Sequence, residues 1–397
     1  MEKQAVSARG RAAEEKVGQS AVRPRLRTAL LAAAHLFMDM TTIAFLYVLI
    51  GVRPFGGPPD GAWHSQAPAA LIAACVFGYD LLAFGLQPFF GALVDRKKRA
   101  APLLYASLLG AGLCAAVCAL CDFPQGMGVL SAALLVFLSL CNAVFHVAAG
   151  AFAIAESENR CAPLGVFVSL GALGVAIGRL YAPAVLFFAG AGLCMFGAAF
   201  LLLRPVLQTD DAALRRHFAH IEARPAGGAG DLLPLGLLIF AVAVRGFGGG
   251  ALPVQTARGE ALVLLCAAAA ALGKAAGGYV ADAFGVGPVA LVCLPVSAFL
   301  LAFGGTVPAL YLVGLALFNT SMPVTLWLSF AALPRLRNTA FGVMACFLML
   351  GSVLAMALSV PRWIPLLLIL GSAAALAWAP RLFGTGPRLF LRRGKGV

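Results

Sequence analysis

Apolar segments of about twenty residues recur from Thr28 to Leu382, separated by short polar breaks. A segment of that length crosses a hydrocarbon core of about 30 Å as a helix. Lipid offers no partner for backbone N–H and C=O groups, so only helices and closed barrels span it. The alternation of a membrane barrel strand is absent from these segments. The expectation is an all-α polytopic membrane protein. Composition agrees, with 61% of the 397 residues hydrophobic and only 11% charged, against about 25% charged in soluble domains. Candidate spans lie near 28–52, 68–94, 100–121, 126–152, 163–183, 184–203, 232–254, 259–281, 286–305, 307–332, 339–360 and 362–380.

The formal charge of +13 invites a nucleic-acid reading, but its placement answers otherwise. With the N-terminus in the cytoplasm, 23 of the 29 lysines and arginines fall in cytoplasmic segments. Only Arg53, Arg258 and Arg362 fall outside, and Arg179, Arg245 and Lys274 lie within spans. That asymmetry is the positive-inside signal. It predicts twelve spans with both termini in the cytoplasm, in a cell inner membrane, and leaves no role for nucleic acid. The ten cysteines are scattered mostly within spans and read as packing residues.

The longest internal polar segment splits the spans six and six. The expected organisation is a basic tail (1–27), a six-helix half (28–203), a central cytoplasmic linker (204–231), a second half (232–382) and a basic tail (383–397). His217 and His220 read as linker residues. An internal repeat supports the division. Asn142 and Asn319, Gly165 and Gly342, and Gly174 and Gly351 each lie 177 residues apart. Gly91 and Asp95 match Gly278 and Asp282 at an offset of 187. A shorter connection in the second half accounts for the change of offset, and the pattern predicts a parallel six-helix repeat.

The run Gly91-Ala-Leu-Val-Asp-Arg-Lys-Lys-Arg99 resembles the G-x-L-x-D-R-x-G-R-R signature between spans 2 and 3 of the major facilitator superfamily. Gly91, Leu93, Asp95, Arg96 and Arg99 match, while Lys98 replaces the second glycine. The resemblance implies two six-helix halves rocking about a central site. It assigns gating to Gly91, Asp95, Arg96 and Arg99, with the aspartate holding one state through contacts at helix ends. Asp282 carries that role in the second half without a following arginine, so gating contacts are expected mainly in the first half. His35-Leu-Phe-Met-Asp39 and Asn142-Ala-Val-Phe-His146 resemble the fosmidomycin-resistance branch, which implies efflux of small anionic or drug-like molecules. Two features depart from the family's drug/proton antiporters. Span 4 has no arginine, and span 5 has no Gly-Pro motif.

Ionisable groups at membrane depth are costly and mark function or a pair. His35 and Asp39 are four residues apart, on one helical face. An acid there can be neutralised by a proton that an imidazole relays, so Asp39, His35 and His146 are the expected proton-coupling residues. Arg245, followed by four glycines in the next five residues, can clamp a carboxylate or phosphate. With Asn142 and Asn319 it forms the expected substrate-binding set, the alternative for both amides being helix packing. Asp80, Arg179 and Lys274 are further charges within spans. Asp80 is read as a structural or gating pair, and Trp327 and Gln255 as candidates to line the route. The in-span charges sum to +1, which suits an anion. No spacing suggests a metal site, a nucleotide-binding loop or another cofactor, and no soluble domain suggests an enzyme.

The expected function is secondary active transport of a small anionic or amphipathic solute by alternating access, with the proton, the solute and the bilayer as partners. The alternative is a non-transporting membrane sensor or assembly protein on the same scaffold. A third reading is a lipid-acting enzyme built on His35, Asp39 and His146.

Overall fold

A computed structural model describes residues 2–50, 69–120, 128–157, 160–212, 214–215, 232–252 and 259–382, with side chains from Pro24 onward. Most of the linker, the 383–397 tail, Arg53, Arg258, Gln255, His217 and His220 lie outside the described residues. Twelve helical segments are long and apolar enough to cross a membrane, and they are numbered here as spans 1 to 12. They are Pro24–Leu49, Ala70–Lys97, Ala101–Leu120, Val129–Glu156, Ala162–Leu180 and Ala182–Leu202, then Leu232–Ala251, Glu260–Phe284, Val289–Thr306, Pro308–Ala332, Arg337–Ala357 and Trp363–Leu382. No strand occurs among the described residues.

The packing is two-fold repetitive. Span 1 packs on 5 and 6, span 3 on 4 and 6. Six spans later, 7 packs on 11 and 12, and 9 on 10 and 12. The halves meet through the pairs 2 with 11 and 8 with 5, which are again equivalent. The repeated glycines sit at these crossings. Gly174 abuts the Leu36 carbonyl of span 1, and Gly351 abuts the Ala243 carbonyl of span 7. Between the halves, Gly165 abuts the Lys274 carbonyl and Gly342 abuts Gln87. A side chain at any of these four points would enter backbone, so the offset of 177 records helix contact rather than chance composition.

Several boundaries differ from the sequence reading. The first helix runs back to Glu2, and Arg27 is not a solvated tail residue. It is buried and donates from Nε to Glu156 Oε1 at 2.6 Å and from Nη1 to the Gln208 carbonyl at 2.7 Å. Apolarity alone ended the span at Thr28, because the acid that neutralises Arg27 lies 129 residues away. Spans 5 and 10 each break once, at Leu170 and at Thr320. Span 2 has a π-helical turn, Leu81–Gly85.

The basic motif is helix rather than loop. The helix continues through Asp95, Arg96 and Lys97 and stops at Lys98, whose φ of 54° and ψ of 35° are left-handed. This is the position where the resembled signature has glycine, which carries no Cβ penalty there. Replacing Lys98 by glycine is expected to stabilise the fold by about 1 kcal/mol, read as a higher midpoint in thermal unfolding of the detergent-solubilised protein.

Candidate functional site

The two repeated acids bind the halves together at the basic end. Asp95, in the last turn of span 2, accepts four hydrogen bonds from the first turn of span 11. The donors are the backbone N–H groups of Asn338 (3.2 Å) and Thr339 (2.8 Å), Asn338 Nδ2 (2.7 Å) and Thr339 Oγ1 (2.7 Å). The first N–H groups of a helix lack partners within it, and its N-terminal dipole favours an anion. Asp282 of span 8 does the same for span 5, accepting from the N–H groups of Cys161 (2.5 Å) and Ala162 (3.1 Å). Trp327 adds a third tie, donating to the Ser157 carbonyl at 3.0 Å. Acid caps between the halves therefore occur in both repeats, since capping needs a carboxylate and a helix start and not a following arginine. Arg96 and Arg99 are exposed.

Asp95→Ala leaves buried N–H groups of span 11 unsatisfied, at about 1–3 kcal/mol each. The expected result is a longer distance between spin labels at Lys97 and Arg335, with the mean shift reproduced by Asp282→Ala.

Deeper in the bundle, spans 1, 2, 4 and 5 assemble a polar cluster in an apolar surround. Asp39, His35 and His146 are each about nineteen-twentieths buried. His35 Nε2 and His146 Nε2 lie 2.8 Å apart. Asp39 Oδ2 is 3.2 Å from the first, and Asp39 Oδ1 is 3.7 Å from the second. Each ring is anchored at its other nitrogen. His35 Nδ1 meets the Phe167 carbonyl at 3.0 Å, and His146 Nδ1 meets the Asn142 carbonyl at 2.9 Å. A carbonyl only accepts, so both Nδ1 atoms carry hydrogen. Both neutral rings then turn Nε2 lone pairs toward each other and toward a carboxylate. Such an arrangement is repulsive until a cation enters it.

The spacing indicates which cation suits it. These three groups are close enough for a metal ion, a cluster that sequence spacing did not reveal because His146 lies 107 residues beyond Asp39. Two imidazole ligands on a tetrahedral zinc with bonds of about 2.0 Å stand about 3.3 Å apart. The observed 2.8 Å matches a hydrogen bond, with one proton between the rings. Asn142 Nδ2 completes the cluster, placed 3.3 Å from Asp39 Oδ1 and 3.0 Å from both Thr42 Oγ1 and Tyr79 OH. Tyr79 and Thr42 are hydrogen-bonded neighbours of the cluster that sequence reasoning missed. Asp80, beside Tyr79, drew attention by its charge alone. Gly171 of span 5 leaves room for the cluster, since a Cβ there would stand 2.5 Å from both Asp39 Oδ2 and His35 Nε2.

The second half contributes cations. Arg245 of span 7 is buried, and its hydrogen bond is a single one, from Nη1 to Thr325 Oγ1 of span 10 at 3.1 Å. Its Nε has no partner, and no carboxylate pairs with it among the described residues. Lys274 of span 8 lies within electrostatic range of Arg245, Asp39 and His146. Asn319 is elsewhere, its Nδ2 donating to the Leu315 carbonyl at 2.9 Å within its own helix. Arg179 sits in the last turn of span 5, two residues before Tyr181, whose hydroxyl donates to Glu260 Oε2 at 2.9 Å. Asp80 immediately precedes the π turn of span 2 and has no hydrogen bond or ion pair among the described residues.

No protein-family model matches the chain, and no curated protein matches it. Among solved structures it is similar to the human organic anion transporter MFSD10 (TETRAN). The match has a TM-score of 0.56 at 17% identity and covers 91% of this chain and 98% of that one. With twelve spans and the repeated packing of its two halves, the chain is a polytopic membrane protein with the major facilitator fold.

Proposed function

We propose that the protein is a secondary active transporter that moves a small anionic or amphipathic solute across the membrane by alternating access, coupled to a proton. The observation that carries this reading is the division of buried charge. One half holds a carboxylate with two facing imidazoles, and the other holds an arginine with a single neutral hydrogen-bond partner. An unneutralised guanidinium in a membrane interior is expensive. It is explained if the partner is a ligand that comes and goes. The likeness to a structure named an organic anion transporter agrees in substrate class.

Proton movement is assigned to His35 and His146, which hold one proton between their Nε2 atoms, with Asp39 as fixed counter-charge. This shifts the expected role of Asp39 from carrier to partner. Arg245 binds the anion, Asn142 orients Asp39, and Asp95 and Asp282 close the cytoplasmic end. The location is the cell inner membrane with both termini in the cytoplasm, which keeps Arg96 to Arg99 on the side that the positive-inside rule requires.

The test is transport by the purified protein in proteoliposomes. Benzenesulfonate, which stays ionised and crosses lipid poorly, should accumulate beyond equilibrium when a pH gradient is imposed, and a protonophore should abolish the accumulation. Uptake of organic cations in place of anions would overturn the substrate class. Gradient-driven anion flux in Asp39→Asn equal to wild type would overturn the assignment of the coupling site.

A further inference from the structure

Lys274, half-buried in the second half, lies within electrostatic range of both the proton site of the first half and the buried Arg245, and this juxtaposition determines the sense of coupling. We infer that the anion and the proton bind together in the same conformer, each strengthening the other, so that the protein is a proton–anion symporter. The inference rests on the transport reading above and goes beyond it by excluding exchange of one for the other.

The argument is charge counting in a low-dielectric interior. The groups facing Asp39 are His35 on its own helix, Tyr79 on span 2, His146 on span 4 and Lys274 on span 8. Span 5 contributes only the Phe167 carbonyl and Gly171. Span 6, which also packs on span 1, has no acidic or basic residue. Arg245 lies within electrostatic range of Lys274. Without a proton on the imidazoles, Asp39 offsets one of the two cations and one positive charge remains. Adding the proton to the empty site raises the uncompensated positive charge, which a buried site resists. An anion at Arg245 and Lys274 removes that excess, so the proton enters at lower cost.

Geometry gives the interaction a short path. Span 5 is the partition between the two sites. Its Gly165 abuts the Lys274 backbone, and its Gly171, under two helical turns on, abuts Asp39 and His35. Neither position has a side chain to hold the elements apart. By linkage the effect is reciprocal, and a proton on the imidazoles tightens the anion by the same factor. The doubly occupied site carries less net positive charge than the site holding the proton alone, so the proton crosses only in company with the anion. The proton comes from the compartment the site faces and leaves with the anion on the other side.

Calorimetry in detergent tests this directly. Benzenesulfonate and methanesulfonate are titrated into the full chain in two buffers of different ionisation enthalpy. The probes stay ionised, so any proton exchanged belongs to the protein. The expected result is uptake of up to one proton per anion bound, with affinity tightening by up to about tenfold for each unit that pH falls. His146→Asn should still bind the anion, with no proton uptake and no pH dependence. Release of a proton on anion binding, or binding independent of pH in the wild type, would overturn symport while leaving the anion site standing. Undiminished binding in Arg245→Met, or no binding of either probe to the wild type, would overturn the transport reading itself.

Discussion

Asp39→Asn is expected to lower gradient-driven transport by about a hundredfold or more while leaving a folded protein. The side chain keeps its shape, and span 1 keeps its packing. What changes is the sign of the group facing the two imidazoles. Asp39 Oδ2 lies 3.2 Å from His35 Nε2, and an amide nitrogen there would donate to the ring lone pair. It would fill the place of the transported proton with a hydrogen that cannot leave. A hydrogen bond to a charged group is worth about 1.5–3 kcal/mol, and the one between Asp39 and His35 is lost. His35→Phe and His146→Phe should lose coupling in the same way. Gly171→Val, which drives a side chain into Asp39 and His35, should reproduce the loss without altering a polar group.

Arg245→Met is expected to weaken anion binding by about two to three orders of magnitude, since a bidentate charged contact is lost. The same substitution should raise thermal stability. Removing one member of a buried ion pair costs about 3–5 kcal/mol because the other charge is stranded, whereas replacing buried charge by apolar bulk is often stabilising. Among the described residues Arg245 has one neutral partner, Thr325, and no acid to strand. A gain in melting temperature alongside a loss of binding marks a functional cation, and a fall in melting temperature would mark a structural one.

Most of the scaffold was legible because its signals are local or periodic. Apolar length marked the spans, charge placement marked the loops, and the glycine offsets recorded helix crossings that the structure displays at Gly165, Gly174, Gly342 and Gly351. The cluster was legible only as its members. His35 and Asp39 announce each other by spacing, but nothing local says that His146 Nε2 comes within 2.8 Å of His35. Tyr79 and Thr42 resemble any polar residue within a span until Asn142 is seen between them. Asn319 shows the reverse. It repeats Asn142 in sequence, but its amide is held by Leu315 of its own helix. The repeat preserved the fold and not the chemistry, which differs between the halves. The contacts of Arg27 and Asp282 were not legible for one reason. Their partners, Glu156 and the start of span 5, are distant in sequence.

The charge division between the halves leads to one arrangement of parts. In the mechanism we propose, the His35–His146 pair holds the proton, Asp39 balances it, Arg245 with Lys274 holds the anion beyond span 5, and the caps from Asp95 and Asp282 hold the basic end shut. The measurement that bears most directly on this account is proton and benzenesulfonate flux recorded together in proteoliposomes under an imposed pH gradient, for wild type and Asp39→Asn. The account predicts that protons and anion move in the same direction in the wild type, and that both fluxes collapse in Asp39→Asn. Anion flux in Asp39→Asn that keeps its full dependence on the proton gradient would contradict it.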